Sequence, residues 1–571
     1  MATIDRHGNT RNIASHIQPG VKQDIDNFEG CLKNAKQVGD RAAECSASDR
    51  LGQAYQQLGN FKRAIEYFEQ SLKVAKELGH KAAEGEAYGN LGIAHDKLGD
   101  FITAIRYHEC CLKIVRELGI RSAEGLEFGH LGNNYSSVRD FKRAIICYEG
   151  FLKISKELGN KSGEGKAYCC LGNAHLRLGN LKTAKDYHER HLKNVRELDD
   201  KWGEAIACGN LGNVYLSVGN FKTAIELDKR RLAIAIELGN RSEEGNAYGN
   251  LGRAYKGQGD FKTAIDYHER ELHVAKDLGD RSKEGTARAN LGIVHHKLGN
   301  FKTAIDNHER HLKISKELGD TYGVGYAYGN LGNVHSSFGD FKTATFCYEI
   351  NLATVKELGD RAGEGKAYCN LGNVNHSLGD FKAAKYYHKR HLESAKELGD
   401  KQGEGFAFGN LGSDHLRLGD FKAAIDYYER RLKIAKELGD RPGEGAAYGT
   451  LGNAYQRMGD FITAIDYHEL RLEIAKELGE RSEEATAYGN LGVAYQSVGD
   501  VTKSVSCHQF HLKIAQELTD KKGEADAYGN LGNLNFSLGD LKTAIDYHQL
   551  CLKALKELGD QIGRASCRER V

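Results

Sequence analysis

The chain has 571 residues, of which 80 are Lys or Arg and 79 are Asp or Glu, so its formal net charge is only +1. This balance gives no field that would attract nucleic acid or an anionic membrane, and we predict neither partner. No apolar run reaches the length of about 18 residues that a membrane-spanning helix requires, so we predict no membrane span.

The first two segments of the chain differ from the rest. Residues 1–20 are polar and lack an apolar core, so we expect a disordered N-terminus and no signal peptide. Residues 21–40 place Ile25, Phe28 and Leu32 at helical spacing. Because no Leu-Gly helix precedes this segment, we predict a degenerate half repeat.

From residue 41 to residue 560 the chain is periodic. The dipeptide Leu-Gly recurs every forty residues from Leu51 to Leu531, in thirteen copies without an insertion or deletion. A fixed period of this length is typical of a solenoid, in which each unit buries its apolar face against its neighbours. We therefore predict an all-α solenoid with thirteen 40-residue repeats over residues 41–560.

Each repeat reads as two helices, as the segment from Asn250 to Gly279 illustrates. Leu251 belongs to the apolar stripe of a first helix, Gly259 ends that helix, and Asp260 caps a second one. The Gly-Asp or Gly-Asn pair at this point recurs in every repeat except at Arg139-Asp140. Each repeat is therefore predicted to be an antiparallel helix pair.

Glycine inside these helices requires an explanation, because it costs about 1 kcal/mol relative to alanine. Gly252 and Ala264 recur in step, and we interpret them as paired minimal side chains that let the two helices approach closely. A phosphate-binding loop is a poor alternative for Gly-Asn-Leu-Gly, because the glycines lie within a helix and follow no nucleotide-binding spacing.

These positions match a known repeat. The signature aromatic, Leu-Gly, Gly-Asp-aromatic, Ala and aromatic residues of the tetratricopeptide repeat correspond here to Tyr248, Leu251, Gly252, Tyr255, Gly259, Asp260, Phe261, Ala264 and His268. The chain thus resembles tetratricopeptide repeat (TPR) proteins over residues 21–560, which implies a right-handed superhelix of helix pairs. Its period is forty rather than the usual ~34, and Lys276 stands where the family has a helix-ending proline, so we expect longer second helices.

Repeats of this length also resemble the Pins/LGN-type polarity scaffolds and the long arrays called tetratricopeptide repeat protein 28. The short Gαi-binding motifs of the Pins/LGN group are absent from the sequence, so the resemblance does not extend to that partner.

The periodicity stops after Asp560, where residues 561–571 read QIGRASCRERV. Residues 562–571 are what one reading frame of a common sequencing adapter encodes. The alternative is a short basic tail of the protein itself. We favour an artefact, since the break falls within a repeat and the composition changes abruptly, and we expect the natural protein to be longer.

Some first-helix positions vary freely between repeats. Equivalent residues are Glu86, Leu126, Lys166, Ile206, Tyr326, Phe406 and Asp526. The TPR resemblance implies that first helices line a concave groove and places these residues in it. Variable size and charge along a groove suit an extended peptide, and we take Tyr326 and Phe406 as candidate binding residues.

Asparagine recurs beside Leu-Gly. The candidates before it are Asn90, Asn210, Asn250, Asn290, Asn330, Asn370, Asn410 and Asn490, and those after it are Asn133, Asn173, Asn213, Asn333, Asn373 and Asn453. A carboxamide offers the donor and acceptor that match a peptide main chain, and a preceding glycine such as Gly249 would leave room for that chain. The alternative is that these amides bridge neighbouring first helices.

Histidine pairs invite a metal-site hypothesis. The pairs are His188/His191, His308/His311, His388/His391 and His508/His511. The first member stands at the family's aromatic position and equivalents of the second vary, so we expect one packing residue and one solvent-facing residue. We predict no zinc site, because no third ligand recurs with the pairs.

No catalytic constellation stands out. Carboxylates repeat as helix caps and exposed charges, and no serine, cysteine or lysine stands out from its equivalents. The thirteen cysteines show no paired metal-type spacing, so we predict no enzyme, cofactor or metal. We predict a cytoplasmic scaffold that binds an extended peptide segment of a partner protein. The alternative is a sensor or autoinhibitory arm of a larger enzyme or switch protein that continues beyond residue 560. The sequence does not set the partner's identity or the oligomeric state.

Overall fold

The computed structural model describes residues 3–4, 10–11 and 19–568, with side chains from residue 21 to residue 559. Two short strands, β1 (Thr3–Ile4) and β2 (Thr10–Arg11), pair antiparallel. Most of residues 1–20 lies outside the described part, so the expected disorder there stays a prediction.

A lone helix, α1 (Pro19–Val38), precedes the helix pairs. The first helices of successive pairs are α2 (Arg41–Gln57), α4 (Lys81–Leu98), α6 (Arg121–Ser137), α8 (Lys161–Arg177), α10 (Lys201–Ser217), α12 (Arg241–Gln258), α14 (Arg281–Lys297), α16 (Thr321–Phe338), α18 (Arg361–Leu378), α20 (Lys401–Arg417), α22 (Arg441–Met458), α24 (Arg481–Val498) and α26 (Lys521–Ser537). The second helices are α3 (Phe61–Leu78), α5 (Phe101–Glu117), α7 (Phe141–Glu157), α9 (Leu181–Glu197), α11 (Phe221–Glu237), α13 (Phe261–Asp277), α15 (Phe301–Leu318), α17 (Phe341–Glu357), α19 (Phe381–Leu398), α21 (Phe421–Leu438), α23 (Phe461–Leu478), α25 (Val501–Glu517) and α27 (Leu541–Arg568). The all-α repeat fold expected from the sequence is confirmed.

The last helix is longer than the others. It passes through Gly559 without a break and continues to Arg568, beyond the point where the periodicity ends. Side chains from residue 560 onward lie outside the described residues, so the proposed origin of residues 561–571 stays a prediction.

Helix ends follow the predicted chemistry. Gly259 adopts a left-handed φ of 84°, and the carboxylate of Asp260 accepts a hydrogen bond from the Thr263 N–H at 3.1 Å. Three residues without glycine's freedom take the same left-handed conformation, with φ values of 62°, 52° and 55° at Arg139, Asp199 and Thr519. These helices therefore end at the same position of the repeat even where glycine, the residue that best adopts this conformation, is absent.

The chain divides into two compact units, residues 1–294 and 295–571. Within each unit the first helices of neighbouring repeats contact one another, as α2 does with α4, α10 with α12, and α22 with α24. Among the described helices, no pair of second helices makes a contact of that extent. The first helices therefore lie on the inner side of the stack within each unit.

The glycine of Leu-Gly makes room for a side chain of the second helix. A Cβ atom placed on Gly252 would lie 2.5 Å from Cε1 of His268, and one on Gly332 would lie 2.5 Å from Cε1 of Tyr348. We call the second-helix residues at this position the core row: Phe68, His108, Tyr148, His188, Asp228, His268, His308, Tyr348, His388, Tyr428, His468, His508 and His548. Ala264 is fully buried, and at its position in α25 the Ser504 hydroxyl donates to the carbonyl of Gly492 at 2.8 Å, so this residue packs against the Leu-Gly glycine as expected. His268, one turn later, fills the space that a side chain on Gly252 would occupy.

Candidate binding face

The freely varying first-helix residues lie mostly at the surface. The side chains of Leu126, Tyr326 and Phe406 are 61%, 44% and 55% exposed, and Ile206 is half-buried. Large apolar side chains exposed at equivalent positions of a repeat are not part of its core. We call these residues the variable surface; they lie on the first helices, which contact one another within each unit.

Behind this surface lies a second row of variable residues, which the sequence analysis did not assign to the site. We call it the floor row, and it stands three residues after the core row on each second helix: Ser71, Cys111, Phe151, His191, Arg231, Glu271, His311, Asn351, His391, Arg431, Arg471, His511 and Cys551. A Cβ atom placed on Gly249 would lie 2.5 Å from Oε1 of Glu271, and one on Gly449 would lie 3.0 Å from Nη1 of Arg471.

Two sequence expectations are corrected by this arrangement. The glycine before asparagine does not leave space for a ligand backbone, because the floor row already occupies that space. The second histidine of each pair does not face solvent either. His191, His311, His391 and His511 are 5–9% exposed, since a small residue on the first helix admits the ring.

A signal for the floor row was present in the sequence. In nine repeats the first helix carries glycine before the asparagine position, and twenty-two residues later the second helix carries a side chain of variable chemistry. Pairing each glycine with the bulkiest variable residue of the opposite helix would have found the row.

Clefts between successive first helices join the variable surface to the floor row. In the first unit a cleft of about 390 Å³ between α4 and α6 is lined by Glu86, Asn90, Cys111 and Leu126, among others. In the second unit a cleft of about 270 Å³ between α22 and α24 is lined by Ala446, Arg471 and Glu483. Each cleft brings a variable first-helix residue and a floor-row residue together.

One aromatic contact joins a variable first-helix residue to a floor-row residue. The rings of His311 and Tyr326 meet edge to face with centroids 6.1 Å apart. This contact holds Tyr326 above the floor while 44% of its surface remains exposed.

Several candidate asparagines donate to the preceding repeat. The amino groups of Asn90, Asn210 and Asn250 donate to Asp49 at 3.0 Å, Cys169 at 3.4 Å and Asp228 at 3.1 Å. Asn410 and Asn490 donate to Asn373 and Asn453, both at 3.3 Å. These amides bridge neighbouring repeats with their amino groups. Asp49, Cys169, Asn373 and Asn453 lie on first helices, as the alternative interpretation expected, whereas Asp228 lies on the second helix α11.

Three other candidate asparagines accept hydrogen bonds through their side-chain oxygens. The oxygens of Asn133 and Asn333 accept from the hydroxyls of Tyr148 and Tyr348 at 2.9 and 2.8 Å. Arg253 donates to Asn213 at 2.8 Å.

Four further candidates show other environments. Asn173 donates to Cys169 Sγ at 3.8 Å, Asn290 and Asn370 are half-buried, and the enclosed amino group of Asn330 has no partner among the described residues. A ligand role for the asparagines stays a prediction.

Burial sets the charge states of the core row. Burial lowers the pKa of His188 to about 4, which keeps that imidazole neutral at pH 7. Burial also raises the pKa of Asp228 to about 6, although the Asn250 hydrogen bond and the Arg231 charge oppose the shift. Burial likewise lowers the pKa of His468 and His508 to about 4, and Asp228 is the one acidic residue of the core row.

Neither a metal-binding cluster nor a membrane-spanning helix occurs in the described part of the chain. No three His, Cys, Asp or Glu side chains there converge in a way that could hold a metal ion. Of the helices described, none combines the length and apolar character needed to cross a bilayer.

Comparison with known families matches the repeat pattern. One tetratricopeptide repeat model matches residues 26–117, 203–277, 283–349, 403–477 and 483–557, and a second matches residues 365–396. Together these segments make up more than half of the chain. Comparison with curated proteins gave no match. The narrower resemblance to Pins/LGN scaffolds and to tetratricopeptide repeat protein 28 stays a prediction.

Several crystal structures are similar in fold. They include BtubC from P. vanneervenii, at 23% identity over 38% of this chain and 92% of that one with a TM-score of 0.36. Apo RapI is 12% identical over 63% of this chain and 99% of that one, with a TM-score of 0.46. A STAND signal-transduction ATPase with a tetratricopeptide repeat sensor from Pyrococcus horikoshii is 15% identical over 77% of this chain and 73% of that one, with a TM-score of 0.47.

Proposed function

Because the chain belongs to the tetratricopeptide repeat family, we propose that it is a protein-interaction scaffold that binds an extended peptide segment of a partner along its first helices. The observation that carries this proposal is the recurrence of clefts between first helices, each with its own surface and floor residues. A ligand that contacts several open clefts of one unit must be elongated. A peptide with side chains of different chemistry meets that requirement.

The floor row gives the proposed face its selectivity. Arg431, Glu271, Asn351 and Cys111 occupy equivalent positions yet offer a cation, an anion, an amide and a thiol. Each sits at the base of the same kind of cleft, so a peptide would meet a different chemical environment in each repeat. The asparagines supply main-chain contacts in this proposal, through amide groups not used between helices.

We further propose that the face is not catalytic and uses no cofactor, and that the protein acts in the cytoplasm. The cysteines that the structure describes are all free thiols, which suits a reducing compartment. Burial raises the pKa of Cys111 and Cys208, the latter to about 11, so these thiols are poor nucleophiles. The alternative role, a sensor arm of a larger protein, stays a prediction.

Affinity selection tests the proposal. The full chain is incubated with a synthetic peptide library carrying free or amidated carboxyl ends, and bound peptides are identified by mass spectrometry. Tyr326→Ala and Phe406→Ala should re-rank the bound peptides, because each removes an exposed ring from the variable surface. The matched control is Tyr386→Ala, which removes a 59% exposed ring from the second helix α19.

The Tyr386→Ala control shows whether the change in peptide ranking is specific to the first-helix face. An unchanged ranking in Tyr386→Ala together with new rankings in the other two variants would support the first-helix face. Equal effects of all three substitutions, or an absence of bound peptides, would refute it.

The asparagines call for a separate comparison. Asn410→Ala removes an interhelix hydrogen bond to Asn373 and should lower stability, whereas Asn330→Ala removes a half-buried amide whose enclosed amino group has no partner among the described residues. If Asn330 contacts the ligand main chain, its loss should weaken binding by about 0.5–1.5 kcal/mol, roughly two- to tenfold, for peptides of different sequence alike. Unchanged binding by Asn330→Ala would show that this amide has no ligand role.

A further inference from the structure

One first helix of the second unit carries a charged residue in its packed interior. Asp414 on α20 is fully buried, whereas the preceding and following repeats have Val374 and Ala454 at the equivalent position. Burying a carboxylate is costly unless hydrogen bonds replace the water that it loses. Packing does not require this carboxylate, because the neighbouring repeats pack with apolar residues there. Asp414 therefore breaks the period in a way that the fold alone does not explain.

Both oxygens of Asp414 accept hydrogen bonds from histidines. His376 Nδ1 donates to Oδ1 at 2.7 Å, and His388 Nδ1 donates to Oδ2 at 2.6 Å. His388 belongs to the core row, where a histidine does not need a carboxylate: His188 has Val214 at the position equivalent to Asp414. The contact that distinguishes this repeat is therefore the one between Asp414 and His376.

His376 extends from this buried contact to the surface. Its side chain is 31% exposed and lines a cleft of about 590 Å³ together with residues of α20 and α22. Because Nδ1 donates to Asp414, Nε2 is the ring nitrogen that a ligand in the cleft would meet. The amides of Asn453 and Gln456 line the same cleft and add polar groups. Asp414 thus fixes the orientation of a histidine at the edge of an open cleft.

Two arginines line this cleft as well. Arg417 and Arg457 occupy equivalent positions of α20 and α22, and the repeats on either side have serine there. Cζ of Arg417 lies 5.6 Å from the centroid of the Phe381 ring, and the His376 ring meets the same ring edge to face at 5.1 Å. Phe381 therefore holds the Arg417 guanidinium and the His376 imidazole beside one another.

The positive charge of the cleft is not balanced internally. No described acidic side chain lines it, and neither arginine forms an ion pair with a described carboxylate. The aspartates that begin the next second helices have other partners. Asp420 accepts from the Ala423 N–H at 3.2 Å and from His415 Nδ1 at 3.1 Å. Asp460 accepts from the N–H and the hydroxyl of Thr463 at 3.1 and 2.8 Å.

We propose that this cleft binds a phosphorylated side chain of the partner peptide. His376, Arg417 and Arg457 come from three successive first helices, and a phosphate monoester has three terminal oxygens that can accept from them. Guanidinium groups match phosphate oxygens with paired N–H donors and always keep their charge. A carboxylate has two oxygens and one charge, so it satisfies this set of donors less completely than a phosphate does. This inference rests on the proposed function, because it adds one regulated anchor to the peptide face.

Competition between peptide libraries tests the preference. Four synthetic libraries share the same random flanking residues and differ in the central residue, which is phosphoserine, phosphotyrosine, serine or glutamate. They are mixed in equal amounts with the full chain, and bound peptides are quantified by mass spectrometry. We expect one phosphorylated library to be enriched roughly tenfold or more over both serine and glutamate. Equal recovery of the four libraries would overturn the inference.

The arginines are tested on the selected phosphopeptide and its unphosphorylated form by fluorescence anisotropy. Arg417→Gln and Arg457→Gln should each weaken the phosphopeptide roughly 10- to 100-fold and leave the unphosphorylated form unchanged. Arg177→Gln is the matched control, because Arg177 occupies the same position of α8 but has serines, Ser137 and Ser217, in the neighbouring repeats. This control should bind both peptides as the wild type does.

Asp414→Val tests the positioning role of the buried carboxylate. The variant recreates the arrangement of His308 and Val334, which stand in the same relation as His388 and Asp414. We expect an unchanged or higher melting temperature, together with a two- to tenfold weaker affinity for the phosphopeptide alone. A lower melting temperature with equal weakening of both peptide forms would show that Asp414 only supports the fold, and would overturn its positioning role.

The outcomes separate this inference from the proposed function. Peptides that bind the first-helix face without a preference for phosphate, or a preference that persists in both arginine variants, overturn the inference and leave the proposed function standing. An absence of bound peptides in all four libraries overturns both.

Discussion

The core row and the floor row lie three residues apart on the same helices, and both face glycines of the first helices, yet they vary in different ways. Except for Asp228, the core row consists of rings: Phe, Tyr or His. The floor row ranges from serine to arginine and glutamate. The core row is enclosed, so the volume over the Leu-Gly glycine is fixed. The floor row borders open clefts, so its chemistry can change without disturbing the packing.

The largest expected effect comes from the exception in the core row. Asp228 is fully buried, and its pKa is raised from 3.8 to about 6, mainly by burial. At pH 7 this disfavours folding by up to about 3 kcal/mol, at 1.36 kcal/mol per pKa unit. Asp228→Asn should therefore stabilise α11 and α12 at pH 7 by up to that amount, measured by hydrogen exchange.

The sign of the pH dependence sharpens this test. Because the folded-state pKa of Asp228 is raised, its contribution to stability is fully present below pH 3.8 and is lost as pH rises through about 6. The difference between wild type and Asp228→Asn should therefore grow from pH 4 to pH 7. A constant difference over this range would show that the carboxyl group is not desolvated in solution.

A pair of glycine substitutions in one repeat separates the rows directly. Gly332→Ala would place Cβ 2.5 Å from the Tyr348 ring, and overfilling of this kind typically costs about 1–3 kcal/mol. Gly329→Ala would place Cβ 3.5 Å from Asn351 Nδ2, an ordinary contact, and should be neutral or gain up to about 1 kcal/mol in helix propensity. Urea titration followed by circular dichroism measures both. Equal destabilisation would mean that the floor row is as tightly confined as the core row.

The predicted difference in stability between core-row and floor-row substitutions assumes that backbone strain elsewhere in the repeat is small. Residues with a left-handed backbone at the helix ends test that assumption. Thr519 holds a left-handed φ of 55°, which costs roughly 1–2 kcal/mol for a residue with a Cβ atom. Thr519→Gly should gain about 1 kcal/mol, since glycine's extra entropy in the unfolded chain offsets part of the relief. The matched reverse change, Gly479→Thr at φ 69°, should lose a similar amount. No shift of the melting temperature in either variant would show that these ends relax.

The sequence was sufficient to predict the repeating helix pairs, because the period, Leu-Gly and the Gly-Asp helix ends each specify local structure. It was not sufficient to pair residues between helices. Ala264 and His268 both lie on the apolar stripe of one helix, and only the relative position of the two packed helices shows that His268 fills the space a side chain on Gly252 would occupy. The same limitation made His191 look solvent-facing although it is 5% exposed.

The asparagines illustrate a different limit. An amide that bridges two first helices and an amide that binds a peptide require the same residue at the same position, so sequence alone cannot separate the roles. The structure shows Asn90 and Asn210 donating to neighbouring repeats, while Asn330 has no such acceptor among the described residues.

Site-specific photo-crosslinking tests the central claim, that a peptide binds along the first helices. Benzoylphenylalanine replaces Phe406 on α20 in one variant and Tyr386 on α19 in another, two rings that are 55% and 59% exposed. Each full-length variant is irradiated with a peptide selected on the wild-type chain, and adducts are identified by mass spectrometry. The account predicts an adduct at position 406 and none at position 386. Crosslinking at position 386 alone, or equally at both positions, would contradict it.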